Sequence, residues 1–277
     1  LSLHDALPIL QGTVEAGNFE DLVVEDNQGT ALDVELERSH PSTDPSASVL
    51  RSQFRRIAGT GVRIRHAGVA ELCSLTLASC RFERCLTGAE AEASWVYAES
   101  CTFFANERDG LVVTPAMGMI VDVRSNSFVA NGRDGCVLRP HADASPPLTV
   151  VRQNLSAHNS GAGMRIEEPV LYDFSRNDAW SNSGGDFVGV APDTSNFSLD
   201  PRFCGIANGD LTLSSDSPCA SNEPLDGVGA YGVGCTLAPT DVEAVTGAAA
   251  FAVRPNPSRG AVEFALPPFA RGGRLDV

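Results

Sequence analysis

Two short motifs contain the residues of this sequence that could most directly do chemistry. The motif "ERDG" includes Arg108 and Asp109, and "GRDG", 25 residues later, includes Arg133 and Asp134. Two carboxylates on neighbouring turns of a fold could bind Ca²⁺ or act as an acid–base pair on a glycosidic bond. The aspartates are therefore catalytic candidates and the arginines ligand-binding candidates. Because Asp before Gly is common in turns, the alternative is solvated turn residues that form an alternating charge ladder.

One histidine joins the catalytic candidates. His141 and Asp143 lie in the same polar stretch and could exchange protons as an acid–base pair. His40, His66 and His158 fall in different copies of the repeat described below, so they do not converge on one site.

The eight cysteines fall into two groups, five within the repeat and three after it: Cys73, Cys80, Cys85, Cys101, Cys136, Cys204, Cys219 and Cys235. The first five are typical of small buried side chains. A Cys80–Cys101 disulfide is the alternative, because neighbouring strands bring Cα atoms within bridging distance. The last three allow one disulfide and leave one thiol over. Two closely spaced cysteine pairs, as zinc sites use, do not occur, so we predict no metal held by cysteine.

A repeated phrase predicts the elements that carry these residues. Seven copies of a thirteen-residue frame align without insertion, at steps of 21–30 residues. They begin at Leu22, Ser52, Cys80, Cys101, Asn126, Asn154 and Asn177. The third position is mostly aromatic or apolar, the sixth mostly Asn and the tenth mostly Gly, as in Phe54, Phe82, Phe103 and Phe128; Asn106, Asn131, Asn159 and Asn182; and Gly110, Gly135 and Gly163. An apolar residue follows the tenth position in every copy except the third, where Glu90 stands.

Each column of the frame has a physical reason that favours stacked strands. Phe between polar neighbours is typical of a strand with one buried face. Asn marks a turn and, stacked on itself, forms amide ladders, whereas Gly supplies a positive φ at a corner. Because the step is too short for a strand–helix–strand unit, we predict an all-β parallel β-helix of about seven coils. Asp109 and Asp134 would then lie about 5 Å apart, with Gly88 and Ala162 at the same position of the flanking coils.

Length variation indicates where ligands bind. It falls between the second strand of each copy and the start of the next coil, as in residues 38–48 and 139–147. Loops that vary on one side of a solenoid are where binding residues concentrate. We therefore expect ligand contacts along that side.

The repeat resembles that of right-handed parallel β-helix proteins, the pectate-lyase-like superfold, from about Leu22 to Val190. Residues 196–222, with "DPRF", "GDLTL" and "DSPC", and then "GVGAYGVGC", resemble the closing block of secreted bacterial members. The resemblance implies a secreted or outer-surface bacterial protein, a Cys204–Cys235 disulfide and a free Cys219. The Asp cluster of pectate lyases and the Gly-His-Gly motif of polygalacturonases do not occur, so no particular reaction is implied.

The sequence divides into four segments. Residues 1–9, "LSLHDALPI", resemble a translated sequencing adapter and are excluded from fold reasoning. Residues 10–235 are the β-helix with its closing block, and residues 236–249 are a linker. Residues 250–277, with "PNPSRG", resemble the start of the immunoglobulin-like domain that sorts proteins through type IX secretion. Since such a β-sandwich needs several strands and about two are present, we expect a truncated domain and a fragment of a longer protein.

Composition bounds the function. The 277-residue chain has a net charge of −15, and all 20 basic residues are arginine. This balance argues against nucleic acid, which needs clustered positive charge, and no apolar run reaches the roughly 20 residues that span a bilayer. We expect a monomer, with Ca²⁺ at the Asp pair as its sole cofactor candidate, that binds polysaccharide or cell-surface glycans or has an adhesive or structural role. The alternative is a polysaccharide lyase or glycoside hydrolase acting on an acidic polysaccharide.

Overall fold

The fold is described by a computed structural model of the chain. It describes residues 2–3, 10–14, 16–37, 44–66, 72–140, 148–167, 172–220, 227–236, 253–255 and 262–264. The chain divides into two compact units, Leu1–Thr236 and Leu237–Val277. In the second unit, Val253–Pro255 pairs antiparallel with Val262–Phe264. Most of the expected linker 236–249, and residues 1 and 4–9 of the excluded segment, lie outside the described residues.

The first wall of the larger unit is a stack of short parallel strands that carries the phenylalanine column. Phe54, Phe82, Phe103 and Phe128 are fully buried, and neighbouring ring centroids lie 4.9–5.2 Å apart. Strand pairing places these four residues opposite one another, so the predicted column is confirmed. The strands of this wall are Ser2–Leu3, Val23–Glu25, Gln53–Arg55, Arg81–Glu83, Thr102–Phe104, Ser127–Val129, Leu155–Ala157 and Asp178–Trp180.

Two further walls complete each coil, and their strands also pair in parallel. Thr87–Glu99 and Leu111–Arg124 run through both walls. The other strands of the second wall are Leu10–Val14, Leu32–Leu36, Thr60–His66, Cys136–Leu138, Met164–Ile166 and Phe187–Val188. The other strands of the third wall are Ala16–Glu20, Ser46–Leu50, Ser74–Ala78, Leu148–Arg152 and Asp173–Ser175.

The molecule is therefore an all-β parallel β-solenoid, as predicted. It has about five turns, with further strands paired at its two ends, so the expected seven coils are an approximate count. Inward-facing aliphatic and aromatic side chains from all three walls form one continuous core. Each coil buries these side chains only against its neighbours, which is the usual basis of solenoid stability.

The third copy of the repeat is one residue shorter than the aligned frame predicts. Ala89, not Glu90, pairs with Val62 and Leu111 and faces the core. The alignment without insertion is therefore wrong at this copy, and Thr87, not Gly88, takes the position equivalent to the aspartates. Since alternate residues of a strand point to opposite faces, Glu90 lies on the outer face of the second wall.

The predicted asparagine ladder runs through four coils. Each side-chain Nδ2 donates to Oδ1 of the next asparagine at 2.8–2.9 Å, from Asn106 through Asn131 and Asn159 to Asn182. Each of these Oδ1 atoms also accepts the backbone N–H of the preceding ladder residue. The ladder ends where Asn182 Nδ2 donates to Asp186 Oδ1 at 2.9 Å.

A second asparagine ladder, which we did not predict, lies at the first position of the frame. Asn126, Asn154, Asn177 and Asn196 are joined by Nδ2–Oδ1 hydrogen bonds of 2.9–3.0 Å. It too ends on an aspartate, because Asn196 Nδ2 donates to Asp193 Oδ1 at 2.9 Å. The three asparagines that open the last copies of the repeat were the available signal.

The glycine column has a different physical reason from the one predicted. Gly110, Gly135 and Gly163 do not have positive φ; the left-handed residues are those that precede the asparagines, such as Ala105 and Ala130. A Cβ atom at Gly110 would lie 2.4 Å from the carbonyl oxygen of Gly135. Close approach of adjacent coils therefore requires glycine here.

A closing block, described over residues 196–220 and 227–235, covers the outer side of the first wall. Phe104, Val129 and Leu155 point outward from that wall and pack against Leu211 and Leu213 in a second, smaller core. The wall therefore has apolar residues on both faces.

The closing block is held together by a small sheet and one disulfide. Its elements are Phe203–Gly205, the 3₁₀ helix Ile206–Asn208, Asp210–Ser214 and Val233–Cys235. A disulfide joins Cys204 and Cys235, the pairing that the resemblance implies, and Cys219 remains a buried thiol.

Candidate functional site

The two predicted aspartates lie on adjacent coils, but their oxygens already have partners. Asp109 Oδ1 accepts the backbone N–H of Asp134 at 3.1 Å. Asp134 accepts the backbone N–H of Ala162 and two hydrogen bonds from Arg165, at 2.7 and 3.1 Å. Both aspartates are 5% exposed, so the alternative of solvated turn residues is wrong for them.

The charges of these aspartates are balanced from the next coil. Arg133 Nη1 lies 3.5 Å from Asp109 Oδ2. Burial raises the pKa of Asp134, but the hydrogen bonds from Arg165 and Ala162 outweigh it, so this pKa lies below its ordinary value. An ionised carboxylate with its oxygens bonded stabilises a turn and is poorly placed to donate a proton. Within the described part of the chain, no three His, Cys, Asp or Glu side chains converge to hold a metal ion.

Of the other predicted candidates, those that the structure describes do not join this pair in a site. Arg108 is exposed at the same turn, and His141 lies outside the described residues. Cys80 and Cys101 are free buried thiols, not a disulfide. Burial also raises the pKa of the Cys85 thiol to about 12, which leaves little of the nucleophilic thiolate at neutral pH.

A charged surface that the sequence motifs do not predict crosses the outer face of the second wall. Strand pairing sets Asp33, Arg63 and Glu90 side by side on three coils. Arg63 Nε donates to Glu90 at 2.8 Å, and Arg65 Nη2 donates to Asp33 at 3.1 Å. The alternating stretches "LDVEL", "VRIRH" and "AEAEA" were the signal, which the misplaced register of the third copy concealed.

A shallow groove of about 230 Å³ lies on this surface. Its charged and polar lining residues are Arg63, Arg65, Glu90, Glu92, Thr114 and Arg139, and Ile64, Ala91 and Val112 complete the lining. Arg139 is exposed and makes no ion pair with any residue that the structure describes. It is the guanidinium of the groove that is most available to a ligand.

The groove lies on the side of the solenoid from which the length-variable segments leave. Thr60–His66 ends beside it, and Cys136–Leu138 ends immediately before Arg139. This is the side on which the sequence predicts ligand contacts.

No family model, curated protein or solved structure matches this chain. Among the described residues, no helix is long and apolar enough to cross a membrane.

A buried acid joins the closing block to the last coil. Asp178 has no exposed surface; its Oδ1 accepts the backbone N–H of Leu199, and the Cys219 thiol donates to its Oδ2, both at 3.0 Å. Burial raises the pKa of Asp178 to about 6; the bonds from Cys219 and Leu199 lower it, and the nearby Asp186 and Asp200 raise it.

The raised pKa of Asp178 predicts that the free energy of unfolding falls as the pH rises from about 4 to 7. Because the pKa is raised in the folded state, the native protein keeps a proton that the unfolded chain releases near pH 4. The stabilisation is complete below that pH and is lost as the pH rises through about 6, at a cost of roughly 2–3 kcal/mol. Urea unfolding across this range measures it.

Matched variants isolate the contribution of Asp178. We expect Asp178→Asn to flatten the pH dependence, because the amide still accepts the Leu199 N–H. Glu107→Gln makes the same change in charge at an exposed position. It should leave the pH dependence of the free energy of unfolding as it is in wild type. Identical slopes in wild type and Asp178→Asn would show that another group titrates.

Proposed function

We propose that this protein is a secreted or cell-surface β-helix protein that binds glycans on the outer face of its second wall. The observation that carries the proposal is the groove lined by Arg63, Glu92 and Arg139. It combines guanidinium donors with carboxylate acceptors on one outward-facing surface.

A mixed lining of this kind suits a chain of hydroxyl groups. Each sugar hydroxyl both donates and accepts hydrogen bonds, so it can use arginine and carboxylate partners together. The groove is smaller than the roughly 300–1,000 Å³ of pockets that enclose a small molecule. It therefore suits a segment of a longer polymer better than a whole ligand.

The sequence resemblances support the location. The repeat and closing block resemble those of secreted bacterial pectate-lyase-like proteins, and residues 250–277 resemble the start of a type IX sorting domain. Disulfides such as Cys204–Cys235 persist in oxidising compartments outside the cytosol. The proposal takes the protein to act as a monomer.

Binding to immobilised polysaccharides tests the proposal. We expect the chain to bind at least one member of a panel of plant, algal and bacterial polysaccharides. Arg139→Gln should weaken that binding by about tenfold, since it removes charge-assisted hydrogen bonds. Arg84→Gln, which changes an exposed arginine outside the groove, should bind like wild type. Failure of every polysaccharide to bind, or equal binding by Arg139→Gln, would contradict the proposal.

One contact favours a second candidate function, cleavage of a polysaccharide. His66 Nε2 lies 3.4 Å from Glu92 Oε1, beside the groove, whereas His66 Nδ1 is buried and has no hydrogen-bond partner among the described residues. Because Nδ1 is buried, Nε2 is the nitrogen that would take a proton from a ligand as the general base of a lyase. Release of unsaturated ends from an acidic polysaccharide, lost in His66→Gln, would favour cleavage; binding without product would favour the first candidate.

A further inference from the structure

A second cleft lies between the closing block and the corner that joins the third wall to the first. Its volume is about 520 Å³, within the roughly 300–1,000 Å³ typical of small-molecule sites. Three arginines from successive coils, Arg124, Arg152 and Arg176, line it on the solenoid side. Tyr231 and its neighbours line it on the side of the closing block.

Hydrogen bonds from the closing block to the coils hold the two sides of the cleft together. The backbone N–H of Gly229 donates to the carbonyl oxygen of Gln153 at 2.8 Å. The backbone N–H of Ala230 donates to Ser127 Oγ at 2.9 Å. The cleft is thus part of the folded unit and has a defined shape.

The arginine column places like charges next to one another. Arg124 and Arg152 are direct partners in the strand register, an arrangement that is normally destabilising. Asp122 pairs with Arg124, and Glu99 is the register partner of Arg124 on the other side. In a chain of net charge −15, the register pairing of Arg124 with Arg152 brings two like charges together at this cleft, which Glu99 also lines.

Arg152 lacks the compensation that Arg124 has. Its Nε is buried and has no hydrogen-bond partner among the described residues, and its guanidinium makes no ion pair with any of them. A buried donor without a partner is costly. An oxyanion in the cleft would offset the repulsion between Arg152 and Arg124, because guanidinium groups bind carboxylate and related anions through paired hydrogen bonds.

The opposite side of the cleft could accommodate a small polar group that is attached to that anion. Arg81 donates to the Tyr231 hydroxyl at 3.2 Å and so holds the aromatic side chain in place. Gly227 and Gly232 expose bare backbone to the cleft, and a Cβ atom added at Gly232 would meet nothing within 4 Å. A ring with hydroxyl groups could therefore lie against this side.

We propose that the cleft is an oxyanion-binding site in which Arg152, flanked by Arg124 and Arg176, binds the carboxylate or sulfate of a small acidic saccharide. The saccharide is either free or a unit of a polymer. The site is on a different face from the glycan groove and has a different chemistry, so it does not depend on the proposed function.

Calorimetric titration at low salt tests the proposal with glucuronate, inorganic sulfate, glucose and polygalacturonate. We expect glucuronate to bind, sulfate to compete with it and glucose not to bind. Arg152→Gln should weaken glucuronate binding by at least about tenfold, whereas Arg84→Gln should leave it unchanged. Polygalacturonate that binds only through its ends would indicate a free acid as ligand; binding along the chain would indicate a polymer unit.

A second variant keeps the test decisive if Arg152→Gln changes the fold. Gly232→Tyr should fill the cleft without altering the arginine column, and should also abolish glucuronate binding. The proposal is overturned if no acid or sulfate binds, if glucose binds equally well, or if both variants bind glucuronate like wild type. A cleft variant that loses glucuronate binding but still binds the polysaccharide of the groove would show that the two sites are distinct.

Discussion

Replacing Phe103 with alanine is expected to lower the free energy of unfolding by about 3–5 kcal/mol. The Phe103 ring is fully buried and stacks between Phe82 and Phe128, with ring centroids 4.9 and 5.0 Å away. Its removal leaves a cavity that the neighbouring coils cannot close, because Gly88 and Gly110 already bring their backbones into close contact. Urea unfolding followed by circular dichroism measures the loss.

Two comparisons make the Phe103 result informative. Phe128→Ala should cost a similar amount, because Phe128 has the same burial and the same column. Arg108→Ala, at an exposed turn position, should cost little. Small and equal losses for all three variants would be inconsistent with the register of the stacked coils.

Replacing Asn131 with aspartate is expected to lower the free energy of unfolding at neutral pH by about 3–5 kcal/mol, at least as much as Phe103→Ala does. Asn131 Nδ2 donates to Asn159 Oδ1 at 2.8 Å and to the carbonyl oxygen of Phe103 at 3.1 Å. A carboxylate at this fully buried position would face both acceptor oxygens without a proton to offer. The charge would also be desolvated, which raises the pKa of the introduced acid.

The pH dependence of the stability of Asn131→Asp shows whether the buried charge causes the loss. Because the raised pKa belongs to the folded state, part of the loss should be recovered as the pH falls and the acid is protonated. Asn208→Asp introduces the same charge at an exposed position and should cost much less. An Asn131→Asp protein as stable as wild type at pH 7 would show that the ladder bonds do not stabilise the solenoid.

The stacked columns could be predicted from sequence because each coil meets a copy of itself. Because a residue such as Phe103 or Asn131 repeats at one position of the frame, its type also predicts the residue type that it contacts on the adjacent coils. The register failed only at the third copy, where Gly88 and Ala89 are both small and either could occupy the glycine column. That one-residue difference decides whether Glu90 faces the core or the groove.

The candidate sites could be predicted less well, because they depend on contacts between distant segments. The burial of Asp134 comes from Arg165 and Ala162 on the next coil, not from its own sequence neighbours. The second cleft requires residues 227–232 to cover the corner that contains Arg152. No periodic signal in the sequence connects those two segments.

The asparagine ladders have a direction, and that direction limits how the chain can grow by gene duplication. Every ladder amide donates towards the C-terminal coil and accepts from the N-terminal one, until Asp186 or Asp193 accepts the last bond. A duplicated coil that carries Asn126 and Asn131 could be inserted in the middle, since it reproduces both partners. A duplicated last coil would place Asp186 inside the array, where its carboxylate competes for the Asn182 amide. Lengthening of this solenoid in evolution or by engineering should therefore proceed from its middle coils.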